Sequence, residues 1–256
     1  MPIRESALRL PCLPPLNRLL STLSAQELSR IKQQLIPVSW EADYILLEPL
    51  EPVRYVWFPE TCVVSLSVAL EQGTTCEAGI IGADGVVGYE AFLGNDLALS
   101  RYVVQVAGIA LQLPVKSALS TFTSNSMFHD LLMHYVSALH AETLQSVACH
   151  GLHTGRVRLA RFLLQIQDRT HGAPVVNLTH EMLANVLGVQ RTTVTAAAME
   201  LQQEGLISYR RGRIEILDRA RLELAACECY GAIRANFERL MPHVNNMAPA
   251  VMPRLI

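Results

Sequence analysis

The 256-residue sequence lacks any uninterrupted apolar run of the ~18 residues that a membrane-spanning helix needs. Its first ~20 residues contain arginines and prolines instead of an apolar core with a small-residue cleavage site, so they do not resemble a secretory signal. With 50% hydrophobic and 17% charged residues, the composition excludes a disordered chain. We therefore expect a globular cytoplasmic protein without membrane contact, long enough for two domains.

The six cysteines lack the spacing of a disulfide-bonded scaffold, so reduced thiols are expected. Only two groups are close enough in sequence to suggest a metal site. One is Cys227 with Cys229, and the other is Cys149 with His150 and His153. Both groups lie in predicted helices among apolar residues, where buried thiols and capping histidines are the ordinary interpretation. We predict no metal and no cofactor.

An enzyme would be a second interpretation of Cys149, His150 and His153, which could supply a nucleophile and a base. The sequence places no Asp or Asn beside them to orient the base, and no Gly-rich oxyanion or phosphate loop accompanies them. We predict that the protein is not an enzyme.

The net charge of −2 conceals an asymmetry along the chain. Residues 1–149 contain 8 basic and 14 acidic side chains, whereas residues 150–221 contain 10 basic and 6 acidic ones. All ten basic residues of the second segment are arginines, the side chain best suited to forked contacts with phosphate and guanine. This distribution favours a polyanionic partner for the C-terminal part.

The N-terminal half changes from helix to short strands. Ser24 and Glu27 form the Ser-x-x-Glu pattern of a capping box, which predicts a helix that ends before Pro37. Alternation of apolar and small residues along 63–70 predicts a strand with one buried face. Further strands are predicted at 44–47, 53–58, 76–81, 102–106 and 110–115, separated by turn-forming residues. Such strands favour an antiparallel sandwich or barrel-like roll.

A long helix follows, because residues 126–149 contain neither proline nor glycine. The apolar residues form one continuous face along this helix, which is too long to be explained by the core of a small domain alone. We therefore expect the helix to pair with the same helix of a second subunit. Packing along the roll of its own chain is the alternative. The predicted dimer residues are Phe128, Leu131, Leu132, Tyr135, Leu139 and Glu142. Gly151 and Gly155 then predict a hinge.

The C-terminal segment has the pattern of a winged helix-turn-helix. Helices are predicted at 156–167, at 179–187 with Thr179 as the N-cap, and at 191–204 with Gly205 at the end. Strands 206–209 and 213–217, joined by an Arg-Arg-Gly turn, predict a two-stranded wing.

The second helix of this motif offers Arg191 and Thr195 on one exposed face, where they can reach guanine and thymine edges in the major groove. The wing arginines can hold flanking phosphates, although a solvated charged turn is the alternative for them. We predict DNA contacts by Thr179, His180, Gln190, Arg191, Thr192, Thr193, Thr195, Arg210, Arg211 and Arg213.

The stretch LTHEMLANVLGVQRTTVTAAAMELQQEGLISYRRGRIEILD resembles the DNA-binding domain of the Crp/Fnr family of bacterial transcription regulators. The resemblance is strong over residues 155–220 and loose before them. It implies a homodimer that binds double-stranded DNA, with a small-molecule effector and RNA polymerase as further partners. Arg191 falls where the family places a guanine-reading arginine, and His180 where some members place a basic phosphate contact. The best-known DNA-binding members of the family have an acidic residue where this chain has Thr192 and a basic residue where it has Ala196. The DNA sequence that this chain binds therefore cannot be inferred from theirs.

The resemblance also implies a cyclic-nucleotide-binding-type β-roll, but this chain departs from the phosphate cassette. Gly88 and Tyr89 stand where the family has Gly-Glu, so the glutamate is either replaced or displaced to Glu90. The phosphate-binding arginine is absent from its place, and Arg101 follows two residues later, after Ser100. We predict a ligand site at these five residues for an unknown effector, with a cyclic nucleotide as the alternative.

Two other sensors of the family have weak support in this sequence. An iron–sulfur cluster needs four thiolates, whereas only Cys12 lies near the start of the chain. Haem ligation by His129, His134 or His140 has no specific signal, because helical histidines are common on surfaces.

Together the patterns predict an α+β protein: a helix and β-roll sensor domain (1–122), a dimerisation helix (123–150), a winged helix-turn-helix (151–220) and a C-terminal helical extension (221–256). The predicted function is a homodimeric, sequence-specific transcriptional regulator. A β-roll interaction module whose helix-turn-helix no longer binds DNA is the rival hypothesis.

Overall fold

The computed structural model describes residues 15–71, 75–124 and 126–241, so Cys12 and the tail beyond Met241 lie outside the described residues. Two short helices come first, α1 (Arg18–Ser21) and α2 (Ala25–Lys32). The buried side chain of Asn17 caps α1 by accepting the backbone N–H groups of Leu19 and Leu20 at 3.1 and 3.2 Å. The capping box predicted for α2 is confirmed, because Ser24 and Glu27 each accept the other's backbone N–H.

The roll consists of two antiparallel sheets. Its strands are β1 (Ile36–Trp40), β2 (Ile45–Leu47), β3 (Tyr55–Pro59), β4 (Val63–Ala69), β5 (Thr75–Ile81), β6 (Arg101–Val106) and β7 (Gly108–Pro114). One sheet has the order β1-β7-β3 and the other the order β2-β6-β4-β5. The sequence did not predict β1, because Pro37 marked the end of a helix. Pro37 is tolerated there because β1 is an edge strand.

The prediction of one buried face for β4 is wrong. Val63 to Ser67 are all buried, whereas Val68 and Ala69 at the end of the strand are exposed. Both faces of the first half are covered, because Val64 and Leu66 join the core of the roll while Val63 joins the core of the C-terminal domain. The small polar Ser65 accepts a hydrogen bond from Gln105 at 2.9 Å, which satisfies it in this buried position.

Two helices follow the roll, α3 (Val115–Ser124) and α4 (Ser126–Leu152). The long helix α4 continues through Gly151 to Leu152, so the break predicted at Gly151 falls instead between Leu152 and Gly155.

The C-terminal domain contains α5 (Gly155–Arg169), β8 (Val175–Asn177), α6 (His180–Leu187), α7 (Arg191–Gln203), β9 (Ile207–Arg210) and β10 (Arg213–Ile216). Its sheet has three strands in the order β8-β10-β9 rather than the two predicted, because β8 pairs with β10. Strand β8 was missed because it is only three residues long and follows a Gly-Ala-Pro turn.

Two further helices, α8 (Arg219–Ala225) and α9 (Cys229–Leu240), complete the described chain. Helix α9 returns to the N-terminal part, where Ile233 and Phe237 are buried in the same core as the roll and α4. The predicted α+β class, with an N-terminal antiparallel roll, a long central helix and a C-terminal winged helix-turn-helix, is confirmed. Within the described ranges, none of the helices combines the length and the apolar character needed to cross a membrane.

Candidate nucleic-acid interface

The helix-turn-helix is formed by α6 and α7. Thr179 caps α6 by accepting the N–H of Met182 at 3.2 Å, as the sequence predicted. Gly188 ends α6 with a φ of +58°, a left-handed conformation that favours glycine. Val194 and Leu201 of α7 are fully buried in the core of this domain. This packing fixes the opposite edge of α7 towards solvent.

That solvent-facing edge carries the predicted base-contacting residues. Gln190, Arg191, Thr192 and Thr193 are exposed at the start of α7, and Thr195 is half-buried one turn later. The Thr195 hydroxyl donates to the backbone oxygen of Arg191 at 3.0 Å and lies 3.0 Å from Nδ1 of His180. Thr195 is therefore held against α6, whereas Arg191 and Thr192 are free to extend outward.

His180 connects α6 to the wing. Its ring stacks on Tyr209 of β9 with the centroids 4.5 Å apart and the planes 17° apart. Burial lowers the pKa of His180 below its usual value of 6.5, and the positive charge of Arg191 lowers it further. The ring is therefore held neutral next to the recognition helix at neutral pH.

The wing is a tight hairpin between β9 and β10. Arg210 and Arg213 face each other in the register, and Arg211 and Gly212 form the turn with φ values of +50° and +78°. Positive φ at both central residues is the turn that matches the twist of a hairpin. Because Arg211 is not glycine, this conformation strains its backbone. All three arginine side chains are exposed.

The ten arginines of residues 150–221 divide into two groups. Six are buried or bonded to other residues of the chain, namely Arg156, Arg158, Arg161, Arg169, Arg219 and Arg221. The other four are exposed and form no ion pair with any residue in the described ranges, namely Arg191, Arg210, Arg211 and Arg213. All four belong to the predicted DNA contacts, so within residues 150–221 the unpaired positive charge is concentrated on α7 and the wing.

In the roll, the structure directs the displaced glutamate inward. Glu90 is completely buried in a short 3-10 helix (Tyr89–Leu93), where it accepts the Tyr102 hydroxyl at 2.6 Å and the N–H of Leu99 at 3.2 Å. Gly88 precedes this helix with a φ of +81°, and a side chain there would clash with the backbone oxygen of Tyr55. These interactions explain why a glycine stands at position 88 and a glutamate at position 90, and the explanation does not require a bound ligand.

The remaining cassette residues point elsewhere. The Arg101 guanidinium donates to the Glu48 carboxylate at 2.7 Å near the surface of the roll. The Ser100 hydroxyl is buried and has no hydrogen-bond partner within the described residues. Burial raises the pKa of Tyr89 to about 12, so its hydroxyl is protonated. The predicted ligand residues therefore do not form one open polar pocket.

The predicted dimer residues face the chain's own core. Five of them are buried, and Leu131 is half-buried. The buried ones are Phe128, Leu132, Tyr135, Leu139 and Glu142. In this structure, the alternative of packing within its own chain therefore describes this face of α4. The opposite face carries Leu144 and Val147, which are 59% and 68% exposed.

Glu142 has a different partner from the one predicted. Its carboxylate accepts Arg169 Nη2 at 2.6 Å and Gln165 Nε2 at 2.9 Å, and all three side chains are buried. Arg169 also lies 3.6 Å from Asp84, in the turn that follows β5. Burial raises the pKa of Glu142, and the charge of Arg169 opposes that shift. This ion pair joins α4 to α5, the first helix of the DNA-binding domain, and no sequence motif indicated it.

The structure also brings together the two cysteine groups that are separate in sequence. The side chains of Cys149, His153, Cys227 and Cys229, which we name the thiol-imidazole cluster, have ligand atoms that all lie within 4.8 Å of one another. His150, which the sequence grouped with Cys149, turns away and contacts Cys76 Sγ through Nδ1 at 3.2 Å. The signal was missed because the two pairs are far apart in sequence.

A family model described as a Crp-like helix-turn-helix domain matches residues 157–225. The transcriptional regulator SdrP of Thermus thermophilus is 27% identical over 161 residues, which cover 61% of this chain and 76% of that protein.

Two solved structures have a similar fold. FixK2 from Bradyrhizobium japonicum superposes with a TM-score of 0.65 at 18% identity, over 75% of this chain and 98% of that one. A regulator of the Crp/Fnr family from Eubacterium rectale superposes with a TM-score of 0.60 at 18% identity, over 81% of this chain and 96% of that one.

Proposed function

Because this chain is a transcriptional regulator of the Crp/Fnr family, we propose that it binds duplex DNA sequence-specifically as a homodimer. Helix α7 enters the major groove with Arg191 and Thr192 at its leading end. The wing contacts the adjacent backbone through Arg211 and its neighbours. Two such units lie about 34–36 Å apart, one helical turn of DNA, on a near-palindromic site.

One observation carries this proposal: the four unpaired arginines are the ones that α7 and the wing expose. A guanidinium without a carboxylate partner is available for guanine or phosphate, whereas an arginine already bonded within the chain would have to break that bond first. The rival hypothesis of a DNA-inactive helix-turn-helix offers no reason for these arginines to stay unpaired.

The homodimer is supported by the outer face of α4. Leu144, Val147 and Leu152 lie on one side of this helix and are 59%, 68% and 82% exposed. Exposed apolar side chains at helical spacing favour a partner helix, and a second copy of α4 would bury them in both subunits. We therefore propose this face, rather than the predicted one, as the dimer contact.

For the effector, the geometry favours a ligand other than a cyclic nucleotide. Arg101 is bonded to Glu48, and Glu90 is bonded to Tyr102 in the core. A cavity of about 220 Å³ lies between α5, α9 and the N-terminal part, lined by charged side chains such as Arg18, Asp84 and Arg234 and by the apolar Phe237. We assign the effector to the class of small polar molecules that such a cavity accepts.

The experiment is selection of bound sequences from random duplex DNA, with and without a metabolite extract, followed by titration of the best site. Arg191→Ala should weaken binding to that site by ~1–3 kcal/mol and relax the preference at one base pair. Arg30→Ala, which removes the same charge from the exposed surface of α2, is the matched control and should bind normally.

Unchanged affinity of Arg191→Ala would show that α7 is not the reading element. Absence of any salt-dependent DNA binding by the wild-type protein would support the interaction-module hypothesis instead.

A further inference from the structure

The thiol-imidazole cluster is formed by two short segments. Cys149 lies in the last turn of α4, and His153 follows four residues later, with its backbone N–H donating to the Cys149 oxygen at 3.1 Å. This i, i+4 spacing places both side chains on one face of the helix. Cys227 lies in the connection between α8 and α9, and Cys229 is the first residue of α9.

Two of the distances within the cluster are close to those of one tetrahedral metal ion, and all of its ligand atoms lie within 4.8 Å of one another. Cys149 Sγ lies 3.5 Å from Cys227 Sγ, and Cys229 Sγ lies 3.5 Å from His153 Nδ1. With Zn–S of about 2.3 Å and Zn–N of about 2.0–2.1 Å, the ligands of a tetrahedral zinc are roughly 3.6–3.8 Å apart. The three cysteines are free thiols and are buried.

Neighbouring side chains form hydrogen bonds to the members of the cluster, as they commonly do to the ligands of a metal ion. Nδ1 of His153 faces the sulfurs, and its other ring nitrogen, Nε2, lies 3.3 Å from the Glu228 carboxylate. A carboxylate on the outer nitrogen is the usual support of a histidine that binds zinc. Gln145 Nε2 donates to Cys229 Sγ at 3.1 Å, a bond that becomes stronger when the sulfur is a thiolate.

The charge around the cluster suits an anionic centre. Three thiolates and a neutral imidazole around a divalent ion carry a net charge of about −1. Arg161 of α5 is 99% buried, interacts electrostatically with Cys149 and Cys227, and has an Nε without an acceptor among the described residues. Arg161 also interacts electrostatically with the buried Glu77 and Glu142, so it adds positive charge on the side of the cluster that faces α5 without depending on the cluster as its partner.

We propose that the thiol-imidazole cluster is a zinc site of the Cys3His type. All four positions are taken by protein ligands, so the site is structural rather than catalytic. The ion would fasten the end of α4 to the connection before α9, and thus tie the C-terminal extension to the helix that leads into the DNA-binding domain. This inference does not depend on whether the protein binds DNA.

The test uses the full-length protein without a polyhistidine tag, purified under reducing conditions from a medium that contains zinc. Elemental analysis should find one zinc per chain. Replacement by Co²⁺ should give the visible bands of a tetrahedral ion together with sulfur-to-cobalt charge-transfer bands in the near ultraviolet. Cys229→Ala and His153→Ala should lose the metal, and Glu228→Gln should weaken zinc binding by about tenfold.

Matched controls come from the neighbouring pair. Cys76→Ala and His150→Ala remove the same side-chain types next to the cluster and should keep one zinc per chain. His153→Cys should also keep the metal, with a cobalt spectrum shifted towards that of four thiolates. If His153→Cys keeps the metal and His153→Ala loses it, the loss is due to the missing ligand atom and not to unfolding of the protein.

The proposal is overturned if the reduced wild-type protein binds neither zinc nor cobalt, or if bound cobalt shows no sulfur charge-transfer bands. Equal loss of metal in the Cys76→Ala and His150→Ala controls would overturn it as well, because binding would then not depend on these four residues.

Discussion

The ring of His180 stacks on the ring of Tyr209, with the centroids 4.5 Å apart and the planes 17° apart. This contact joins the start of α6 to the first strand of the wing, and Thr195 of α7 adds a hydrogen-bond contact to the same imidazole. The second nitrogen, Nε2, is buried without an acceptor among the described residues. One neutral ring therefore sets the position of the wing relative to the recognition helix.

The first prediction concerns the pKa of His180. Tyr209→Ala uncovers one face of the ring and Arg191→Ala removes a nearby positive charge, so both should raise this pKa towards 6.5. Tyr209→Phe keeps the stack and should leave the pKa near the wild-type value. An NMR titration of the ring protons measures all three, and a lower or unchanged pKa in Tyr209→Ala would contradict the role of the stack.

The sign of the accompanying stability change follows from the same shift. Because the folded protein has the lower pKa, the unfolded chain binds more protons between the two pKa values. The contribution of the neutral ring to the free energy of unfolding is complete above a pH of about 6.5. It is lost as the pH falls through the folded pKa. His180→Gln should flatten this part of the stability profile.

Local patterns predicted most of the fold, because they depend on neighbours in sequence. The capping box at Ser24 and the N-cap at Thr179 both form as expected. Strand β1 was missed because it contains Pro37, which predicts the end of a helix, and β8 was missed because it follows a turn-forming proline. Their pairing with β7 and β10 is decided by residues far along the chain.

The candidate site could be predicted in type but not in detail. Ten arginines between residues 150 and 221 gave the right sign of charge, yet the sequence does not say that Arg156 is bonded to Glu204 and that Arg169 is buried against Glu142. The sequence of α4 is ambiguous in the same way, because one apolar face of a helix can pack in the core of its own chain or against a second subunit. Only tertiary contacts decide which face is covered.

The second prediction separates charge from backbone strain in the wing. Arg211→Gly removes a charge at a residue with a φ of +50°, so it should leave the free energy of unfolding unchanged or raise it by up to about 1 kcal/mol. Arg213→Gly removes the same charge from β10 and should destabilise the protein by about 0.5–1 kcal/mol. Each variant should lower the slope of log affinity against log salt by about 1 if the side chain contacts phosphate.

Urea unfolding and salt titrations of DNA binding measure the two effects separately. An Arg211→Gly variant that is less stable than Arg213→Gly would show that Arg211 has a structural role in the turn. An unchanged salt slope in both variants would support the alternative of a solvated charged turn.

The third prediction concerns the buried ion pair between α4 and α5. Arg169→Met removes the cation bonded to the buried Glu142 carboxylate and leaves it with Gln165 and the backbone N–H of Ile80 as donors, which should cost ~3–5 kcal/mol of unfolding free energy. The double variant Glu142→Met, Arg169→Met removes both charges and should recover part of that loss. Urea unfolding of the single and double variants gives the coupling energy, and losses that simply add would show that the two residues are not coupled.

The fourth prediction distinguishes the two faces of α4. Leu144→Glu with Val147→Glu places charges on the exposed face, so it should yield a monomer without a large loss of stability, because these side chains have little contact with their own chain. Leu132→Glu with Leu139→Glu places charges in the core of the roll and should unfold the protein instead. Analytical ultracentrifugation reports the mass and circular dichroism reports the fold. A wild-type dimer that survives the Leu144 and Val147 changes would assign the dimer contact to another surface, and DNA half-site spacing would then have to be derived from that surface.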